Sequence, residues 1–209
     1  MMKPGPPQTL RVRRARPAEA ACVSFLLRVA FAEVAQLYTP EALDATLPDA
    51  DALRRRIDEG TPVWIALLDD QVVGTLSAFD RSEGLHLRSM AVHPGARGHG
   101  VARALLAAAE GFGRERGHTR VFLRTTPFLH AAIALYSRSG FTLCQGAERD
   151  FHGVPLFEME KAIVAAGRVG GGRSPGATAS RCCRCRGWPR SRRSRRRSSG
   201  CRPSRSPRA

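Results

Sequence analysis

Apolar residues in the first 60 positions recur mainly at helical spacing. Within 18–37 they stand three and four residues apart, which predicts one amphipathic helix with a single buried stripe. Pro40 starts a second short helix, and either Asp49 or Asp51 can cap a third that Gly60 ends. The elements predicted for this part are a strand at 10–14 and helices at 18–37, 41–46 and 51–58.

After Gly60 the pattern changes to short apolar runs of strand length, separated by polar or glycine-containing turns. Helical spacing returns at 101–116 and at 130–139. The strands predicted here are 63–68, 72–79, 85–93, 121–125, 141–145 and 155–161. Together with the first strand, this order predicts a mixed α/β fold in which helices flank a largely antiparallel sheet of about six to seven strands.

Residues 164–209 differ from the rest of the chain in composition. Fourteen of the 34 Lys and Arg residues lie there, and no Asp or Glu follows Glu160, so most of the net charge of +16 belongs to this segment. Few large aliphatic side chains remain to offset the entropy of ordering it. We expect a flexible N-terminus at 1–8, one folded domain at 9–163 and a disordered Arg/Ser/Gly-rich tail at 164–209.

The tail has two interpretations. As a functional arm, its arginine-rich run at 192–197 would bind nucleic acid by releasing counterions. The abrupt loss of acidic residues and the clustered cysteines favour an unselected extension instead. Cys182, Cys183 and Cys185 have no second pair at zinc spacing, so we predict no metal site there.

The remaining cysteines and the N-terminus bear on location. Cys22 and Cys144 lie far apart and do not form a disulfide framework. Residues 1–8 lack the apolar segment of a signal peptide, and no apolar run reaches the roughly 18–20 residues of a membrane helix. The sequence therefore predicts a cytoplasmic protein with no membrane partner.

A glycine-rich turn joins the strand at 85–93 to the helix at 101–116. The first turn of a helix leaves four backbone N–H groups unpaired, and the helix dipole adds about half a positive charge. Gly98 and Gly100 present no side chains, so a phosphate can approach these amides, and Arg97 adds a permanent cation. The neighbouring strand and helix favour a pyrophosphate site over a helix entry without a ligand. Arg103 occupies the third glycine position of G-x-G-x-x-G, which argues against a dinucleotide fold.

Three segments resemble the GCN5-related N-acetyltransferase (GNAT) superfamily. The run RGHGVA at 97–102 matches the family's Q/R-x-x-G-x-G/A signature. The run MAVHP at 90–94 is similar to its fourth strand, and LYSRSGF at 135–141 is similar to its LYxxxGF segment. The order of elements extends this resemblance over roughly residues 9–161. It implies that the domain at 9–163 is an N-acetyltransferase domain whose sheet has splayed central strands.

The resemblance also implies how a cofactor binds. The strands at 85–93 and 121–125 would splay, and the pantetheine arm of acetyl-CoA would pair with the backbone of the first of them. The amides of the glycine-rich turn would hold the pyrophosphate, and no metal is needed. The cofactor-binding residues implied are Met90, Ala91, Val92, Arg97, Gly98, His99, Gly100, Val101 and Ala102.

Two residues are candidates for catalysis. The resemblance implies that Tyr136 is the general acid for the departing CoA thiolate, whereas spacing alone fits an aromatic that packs on a helix face. His86 stands where histone-acetylating members carry a carboxylate, and a histidine near its ordinary pKa of about 6.5 can act as a base at neutral pH. Strand alternation places His86, Arg88 and Met90 on one face. A solvated surface histidine is the alternative, Glu83 is a weaker candidate base, and some family members rely on solvent.

The acceptor side is less defined. In this family the acceptor groove is built by the first helices and the last hairpin, here 31–47 and 146–155. Their polar residues would attract a cationic amine or form an ordinary solvated surface: Glu33, Tyr38, Glu41, Glu148 and Asp150. The sequence departs from the family at Leu129, where many members carry an Asn that contacts CoA, and His130 is a candidate substitute.

The resulting prediction is an N-acetyltransferase that moves an acetyl group from acetyl-CoA to a primary amine of a small molecule or a protein. The first alternative is a non-catalytic acyl-CoA-binding or regulatory module with the same fold. The second is a nucleic-acid binder that acts through the basic tail. Dimers are common in the family, so a homodimer is expected by analogy alone.

Overall fold

The computed structural model describes residues 9–164, so the predictions for 1–8 and for nearly all of the tail lie outside the described residues. The helices and strands follow one another along the chain in the predicted order, with one additional strand near the end. The strands are β1 (Leu10–Arg14), β2 (Val63–Leu68), β3 (Gln71–Arg81), β4 (Gly84–Val92), β5 (Arg120–Thr125), β6 (Thr142–Leu143), β7 (Arg149–Phe151) and β8 (Val154–Ala162). The helices are α1 (Ala20–Phe31), α2 (Pro40–Thr46), α3 (Ala50–Asp58), α4 (Val101–Glu115) and α5 (His130–Arg138), with short 3-10 turns at Pro17–Glu19, Ala35–Leu37 and Pro94–Ala96.

The helix predicted at 18–37 is shorter in the structure. The α-helical part, α1, ends at Phe31, and a turn leads into the 3-10 turn Ala35–Leu37. The caps of the next two helices follow the sequence more closely. Thr39 accepts a hydrogen bond from the Ala42 amide at 3.2 Å, and Asp49 accepts one from the Ala52 amide at 2.6 Å. Asp49, rather than Asp51, therefore caps α3.

The sheet has the order β1-β2-β3-β4-β5-β8-β6, and β7 pairs with β8 at one end. All neighbours are antiparallel except β4 and β5, which are parallel. The mixed, largely antiparallel fold class is confirmed. The sheet has eight strands in place of six to seven, because the short and mostly exposed strand β7 has no hydrophobic alternation to reveal it.

Buried side chains form one cluster on each face of the sheet. The cluster beneath α4 includes Leu105 and Leu106, and the cluster beneath α1 and α3 includes Val23, Leu27 and Leu53. These are the apolar stripes expected for amphipathic helices packed on a sheet.

A close approach sets the position of α4 over the sheet. A Cβ atom at Gly74 of β3 would lie 2.6 Å from Cγ1 of Val101, the first residue of α4. Glycine at this position therefore lets the N-terminus of α4 rest directly on β3, next to the end of β4.

Candidate active site

The sheet opens between its two parallel strands. β4 and β5 pair only at three positions, the last of which joins Leu87 to Leu123. Beyond that point β5 continues to pair with β8 up to Thr125, while β4 pairs with β3 up to Val92. One edge of β4 is therefore not covered by β5, and the expected splay of these strands is present.

A β-bulge in β4 lies at the start of this opening. Ser77 of β3 is opposite Arg88, but Thr75 is opposite Ala91, so β4 holds one extra residue. Ser89 within the bulge has φ 52°, which is unusual for a residue other than glycine.

The bulge corrects one prediction about the faces of β4. Met90 and Val92 pack in the same cluster as Leu85 and Leu87, so the strand exchanges its faces after Ser89. The expectation that Met90 lies on the same face as His86 and Arg88 is wrong. Regular alternation cannot anticipate an inserted residue, since one extra position inverts every side chain that follows it.

The glycine-rich turn has the backbone geometry that an anion site requires. Gly98 has φ 85° and Gly100 has φ 78°, and α4 begins directly after Gly100 with no side chain capping it. A Cβ atom at either glycine would meet nothing within 4 Å, so space around the turn is open. The first amides of α4 are thus without a capping side chain beside open space.

A groove of about 450 Å³ runs from this turn along the uncovered end of β4. Five of the nine residues predicted to bind the cofactor line it, namely Met90, Ala91, Val92, Arg97 and Ala102. We call it the cofactor groove. Among the other predicted residues, Gly98 and His99 are exposed and Val101 is buried against the sheet, so only their backbone or their turn geometry can serve a ligand.

Arg97 at the mouth of the cofactor groove already has a partner. Its Nη1 lies 2.7 Å from Oε2 of Glu33, and both side chains are about half exposed. Glu33 lines the cofactor groove and not the second cleft. Of the two interpretations of Glu33, attraction of an acceptor amine has no support from this position, because the chain after α1 brings it next to the glycine-rich turn.

A second cleft, of about 240 Å³, lies on the other side of the opening, and we call it the acceptor cleft. Tyr38 lines it, whereas Glu41, Glu148 and Asp150 do not and are exposed, as in the solvated-surface interpretation. The two clefts share five lining residues, which mark their junction: Phe31, Met90, Leu129, Ala132 and Tyr136.

Tyr136 lies at this junction and is 8% exposed. Its hydroxyl donates a hydrogen bond to the sulfur of Met90 at 3.7 Å, and its ring packs against Phe141 at 5.9 Å between centroids. Burial, with a smaller contribution from nearby Tyr38, raises the pKa of Tyr136 to about 12. The phenol is therefore protonated at neutral pH and available as a donor.

His86 lines the acceptor cleft but differs from both expectations for it. Its side chain is 7% exposed, and its ring stacks on Phe122 with 4.6 Å between centroids and 5° between planes. Burial, together with the cations Arg124 and Arg88, lowers the pKa of His86 to about 4. The imidazole is thus neither a solvated surface group nor a base of ordinary strength.

The acceptor cleft is also lined by Arg88 and Arg124, two arginines that the sequence analysis did not identify as functional. Arg88 is half-buried in a strand whose neighbours are mostly apolar. The sequence did contain a signal for Arg88, which is a single arginine within a mostly apolar strand. Buried charged residues are rare without a partner, so such a residue is a candidate for binding a ligand. Arg124 donates to Glu158 at 3.1 Å, and that carboxylate also pairs with Arg120.

Within the part of the chain that the structure covers, no three His, Cys, Asp or Glu side chains are grouped so that they could hold a metal ion. None of the helices described between residues 9 and 164 is long and apolar enough to cross a bilayer.

The geometry agrees with the comparison against known families. The model of the acetyltransferase (GNAT) family matches residues 29–141, which include β4, the glycine-rich turn, β5 and Tyr136. This match covers more than half of the chain, and the chain belongs to the acetyltransferase (GNAT) family.

Relatives and a solved structure are similar in the same region. An uncharacterized N-acetyltransferase of Escherichia coli is 31% identical over 140 residues, which cover 65% of this chain and 83% of that protein. N-acetyltransferase family 8 member 2 of Rattus norvegicus is 31% identical over 151 residues, 68% of this chain and 66% of that protein. The crystal structure of PaiA N-acetyltransferase from Thermoplasma acidophilum in complex with coenzyme A has the same fold, with a TM-score of 0.62, 16% identity, and coverage of 74% of this chain and 99% of that one.

The chain spans 40% to 66% of the length of three curated rat relatives that it matches.

Proposed function

We propose that this protein transfers the acetyl group of acetyl-CoA to a primary amine of a small molecule or a protein. The observation that carries the proposal is the junction of the two clefts at Met90 and Tyr136. A thioester in the cofactor groove and an amine in the acceptor cleft would meet there, beside a buried phenol. Family membership and the names of the relatives support the same reaction.

The residues of the cofactor groove fit coenzyme A. The amides at the start of α4 would hold the pyrophosphate, since they have no capping side chain and the helix dipole favours an anion. The uncovered backbone of β4 from Met90 to Val92 would hold the pantetheine arm, and a backbone N–H near Val92 would donate to the thioester carbonyl. Acetyl-CoA supplies the activated acetyl group.

Tyr136 would donate its hydroxyl to the departing sulfur. A phenol of pKa about 12 holds its proton more tightly than a thiol of pKa about 8.5, so full transfer costs about 5 kcal/mol at about 1.36 kcal/mol per pKa unit. The role that these values favour is hydrogen-bond donation as negative charge develops on sulfur, with complete transfer only late in the reaction.

The acceptor cleft itself would assist deprotonation of the amine. An amine of pKa about 10.4 costs about 4.6 kcal/mol to deprotonate at pH 7. Arg88, which has no ion-pair partner among the described residues, lies in the cleft and disfavours a bound ammonium ion, which lowers the pKa of the amine there. His86, neutral above its pKa of about 4, would accept a hydrogen bond from the attacking N–H while water removes the proton.

Two measurements on the full chain test this function. Calorimetry should detect binding of coenzyme A, and a panel of primary amines with acetyl-CoA should release free thiol. Failure to bind coenzyme A would overturn the proposal at its first step. Binding without thiol release for any amine would favour the non-catalytic acyl-CoA-binding module, for which Leu129 in place of the family's Asn is the specific observation.

Three further predictions concern the cellular location, the oligomeric state and the basic tail. The cytoplasmic location stays a prediction; among the described residues, Cys22 and Cys144 form no disulfide. A homodimer stays an expectation by analogy. If the tail binds nucleic acid, deleting 165–209 should abolish that binding and leave acetyl-CoA affinity intact.

A further inference from the structure

The acceptor cleft contains a cation without a counterion. Arg88 lines the cleft beside the junction and is half-buried, yet it has no ion-pair partner within residues 9–164. Burial lowers the pKa of Arg88, and the guanidiniums of Arg56, Arg124 and Arg81 lower it further. No carboxylate offsets these effects. A half-buried guanidinium surrounded by other cations costs free energy, because it is partly desolvated without a compensating anion.

The other arginines that line the two clefts have carboxylate partners. Arg97 pairs with Glu33 at 2.7 Å, and Arg124 pairs with Glu158 at 3.1 Å. Glu158 also pairs with Arg120, so its negative charge is already compensated and does not offset the charge of Arg88. Arg88 is therefore the cleft-lining arginine that is free to bind a ligand.

A buried hydroxyl that lines the same cleft also lacks a partner. Thr125 lines the acceptor cleft, is 4% exposed, and its Oγ1 has no hydrogen-bond partner among the described residues. Buried hydroxyls in folded proteins nearly always have a partner. A cation and an unpaired hydroxyl in one small cleft are the donors that a carboxylate accepts from.

We propose that the acceptor is a small amine that also carries a carboxylate, as an amino acid does, and that Arg88 binds this carboxylate. The inference rests on the proposed function and deepens it by naming the substrate class. Within a cleft of about 240 Å³, a carboxylate on Arg88 would hold the amine of the same small molecule near the junction at Tyr136.

The transfer balances with this acceptor. The amine nitrogen forms a bond to the acetyl carbon, and the carbon–sulfur bond breaks with its electron pair going to sulfur. One proton of the starting ammonium goes to solvent and a second reaches the thiolate. The carboxylate is unchanged and only positions the molecule.

The test compares three acceptors that share the isobutyl side chain and the amine of leucine: leucine itself, leucinamide, and isoamylamine, which lacks the carboxylate. Thiol release gives kcat/KM for each with the full-length protein, with Arg88→Gln and with Arg88→Lys. Arg81→Gln is the matched control, since it removes an equal charge near Arg88 but does not line the cleft. We expect the wild-type protein to prefer leucine.

Arg88→Gln should lower the preference for leucine over isoamylamine by about 10- to 100-fold, the worth of one charged hydrogen-bonded contact. Arg88→Lys should keep part of the preference, and Arg81→Gln should change it less than threefold. Equal use of all three acceptors by the wild type, or an unchanged preference in Arg88→Gln, would overturn the proposal.

Direct binding separates this proposal from the proposed function. In the presence of coenzyme A, calorimetry should detect leucine but not isoamylamine, and Arg88→Gln should lose the leucine signal. That result without any thiol release would refute acetyl transfer and uphold the carboxylate site. If Arg88→Gln does not fold, 4-methylpentanoate should inhibit the wild type competitively against leucine and its amide should not; inhibition by neither would overturn the proposal.

Discussion

The two clefts that meet at Tyr136 are made of different parts of the protein. At the cofactor groove, the groups proposed to bind coenzyme A are backbone groups of the uncovered end of β4 and of the glycine-rich turn before α4, and side chains from 30–34 and 128–136 complete the lining. The acceptor cleft presents side chains drawn from distant segments, including Tyr38, His86, Arg88 and Arg124. The shape of the cofactor groove depends on backbone φ angles and strand pairing, whereas the chemistry of the acceptor cleft depends on which side chains the fold brings together there.

This difference determines what each cleft can recognise. Amides and a helix dipole suit a diphosphate and an extended arm, which any enzyme using the same cofactor must bind. Arginines, a buried histidine and hydroxyls define a chemistry particular to this chain. Substitutions should therefore separate the two clefts, with backbone changes affecting coenzyme A and side-chain changes affecting the acceptor.

The largest effect should come from Tyr136, where both clefts meet. Tyr136→Phe removes only the hydroxyl, so the buried ring still packs against Phe141. We expect kcat to fall by about 100-fold or more, the usual range for a lost proton donor. Calorimetry should find coenzyme A affinity within about twofold of wild type, since the affinity resides in backbone contacts. An unchanged kcat would remove Tyr136 from the mechanism.

A backbone change should break the cofactor groove alone. Gly100→Val places a β-branched residue at φ 78° just before α4, where the first amides face the proposed pyrophosphate. We expect coenzyme A affinity to fall about 30- to 100-fold, equivalent to one or two lost charged hydrogen bonds.

The control for this change is Gly117→Val, just beyond the other end of α4. Gly117 has φ 80°, and a Cβ atom there would also meet nothing within 4 Å, so the strain is the same without the ligand. Both variants should lose about 1–2 kcal/mol of stability in urea unfolding. Equal coenzyme A affinities in the two variants would exclude the turn as the pyrophosphate site.

The same contrast explains what could be predicted from the sequence. The cofactor groove depends on local features, such as glycines at two positions and a strand followed by a helix, which are visible as a contiguous pattern. The resemblance to the GNAT family, which these local features carry, therefore implied the lining by Met90, Ala91 and Val92. The buried stripes of α1 and α4 were predictable for the same reason, since they follow a fixed period.

The acceptor cleft depends on features that no local pattern contains. The bulge at Ser89 inverts the faces of β4, and the burial of His86 depends on Phe122 of a strand about 35 positions away in sequence. Because its pKa reflects that burial and the charge of Arg124 on another strand, as well as that of Arg88, the ordinary value expected for a histidine was wrong. The pairing of Glu33 with Arg97 likewise depends on where the chain turns after α1.

Stability as a function of pH should reveal the burial of His86. Its pKa is about 6.5 in the unfolded chain and about 4 in the folded protein, so the unfolded state binds the extra proton between these values. Stability should therefore fall as pH drops from 6.5 toward 4. We expect a loss of about 2 kcal/mol between pH 7 and 4.5 that is absent in His86→Gln.

Urea unfolding at both pH values measures this difference, and His130→Gln is the control because His130 is exposed in the cofactor groove. The same low pKa predicts that kcat/KM for the amine has no inflection near pH 6.5. If kcat/KM does have an inflection near pH 6.5, and the inflection disappears in His86→Gln, then His86 is a general base with an ordinary pKa.

The smallest effect should come from the ion pair at the mouth of the cofactor groove. Glu33 holds Arg97 at 2.7 Å and would compete with the pyrophosphate for it. Glu33→Gln should tighten coenzyme A binding about two- to fivefold, the worth of an exposed ion pair, and higher salt should shrink the gain. Glu41→Gln, an exposed carboxylate on α2 that lines neither cleft, is the control. Unchanged affinity in Glu33→Gln, measured by calorimetry at low salt, would mean that Arg97 does not reach the diphosphate and that backbone amides alone hold it.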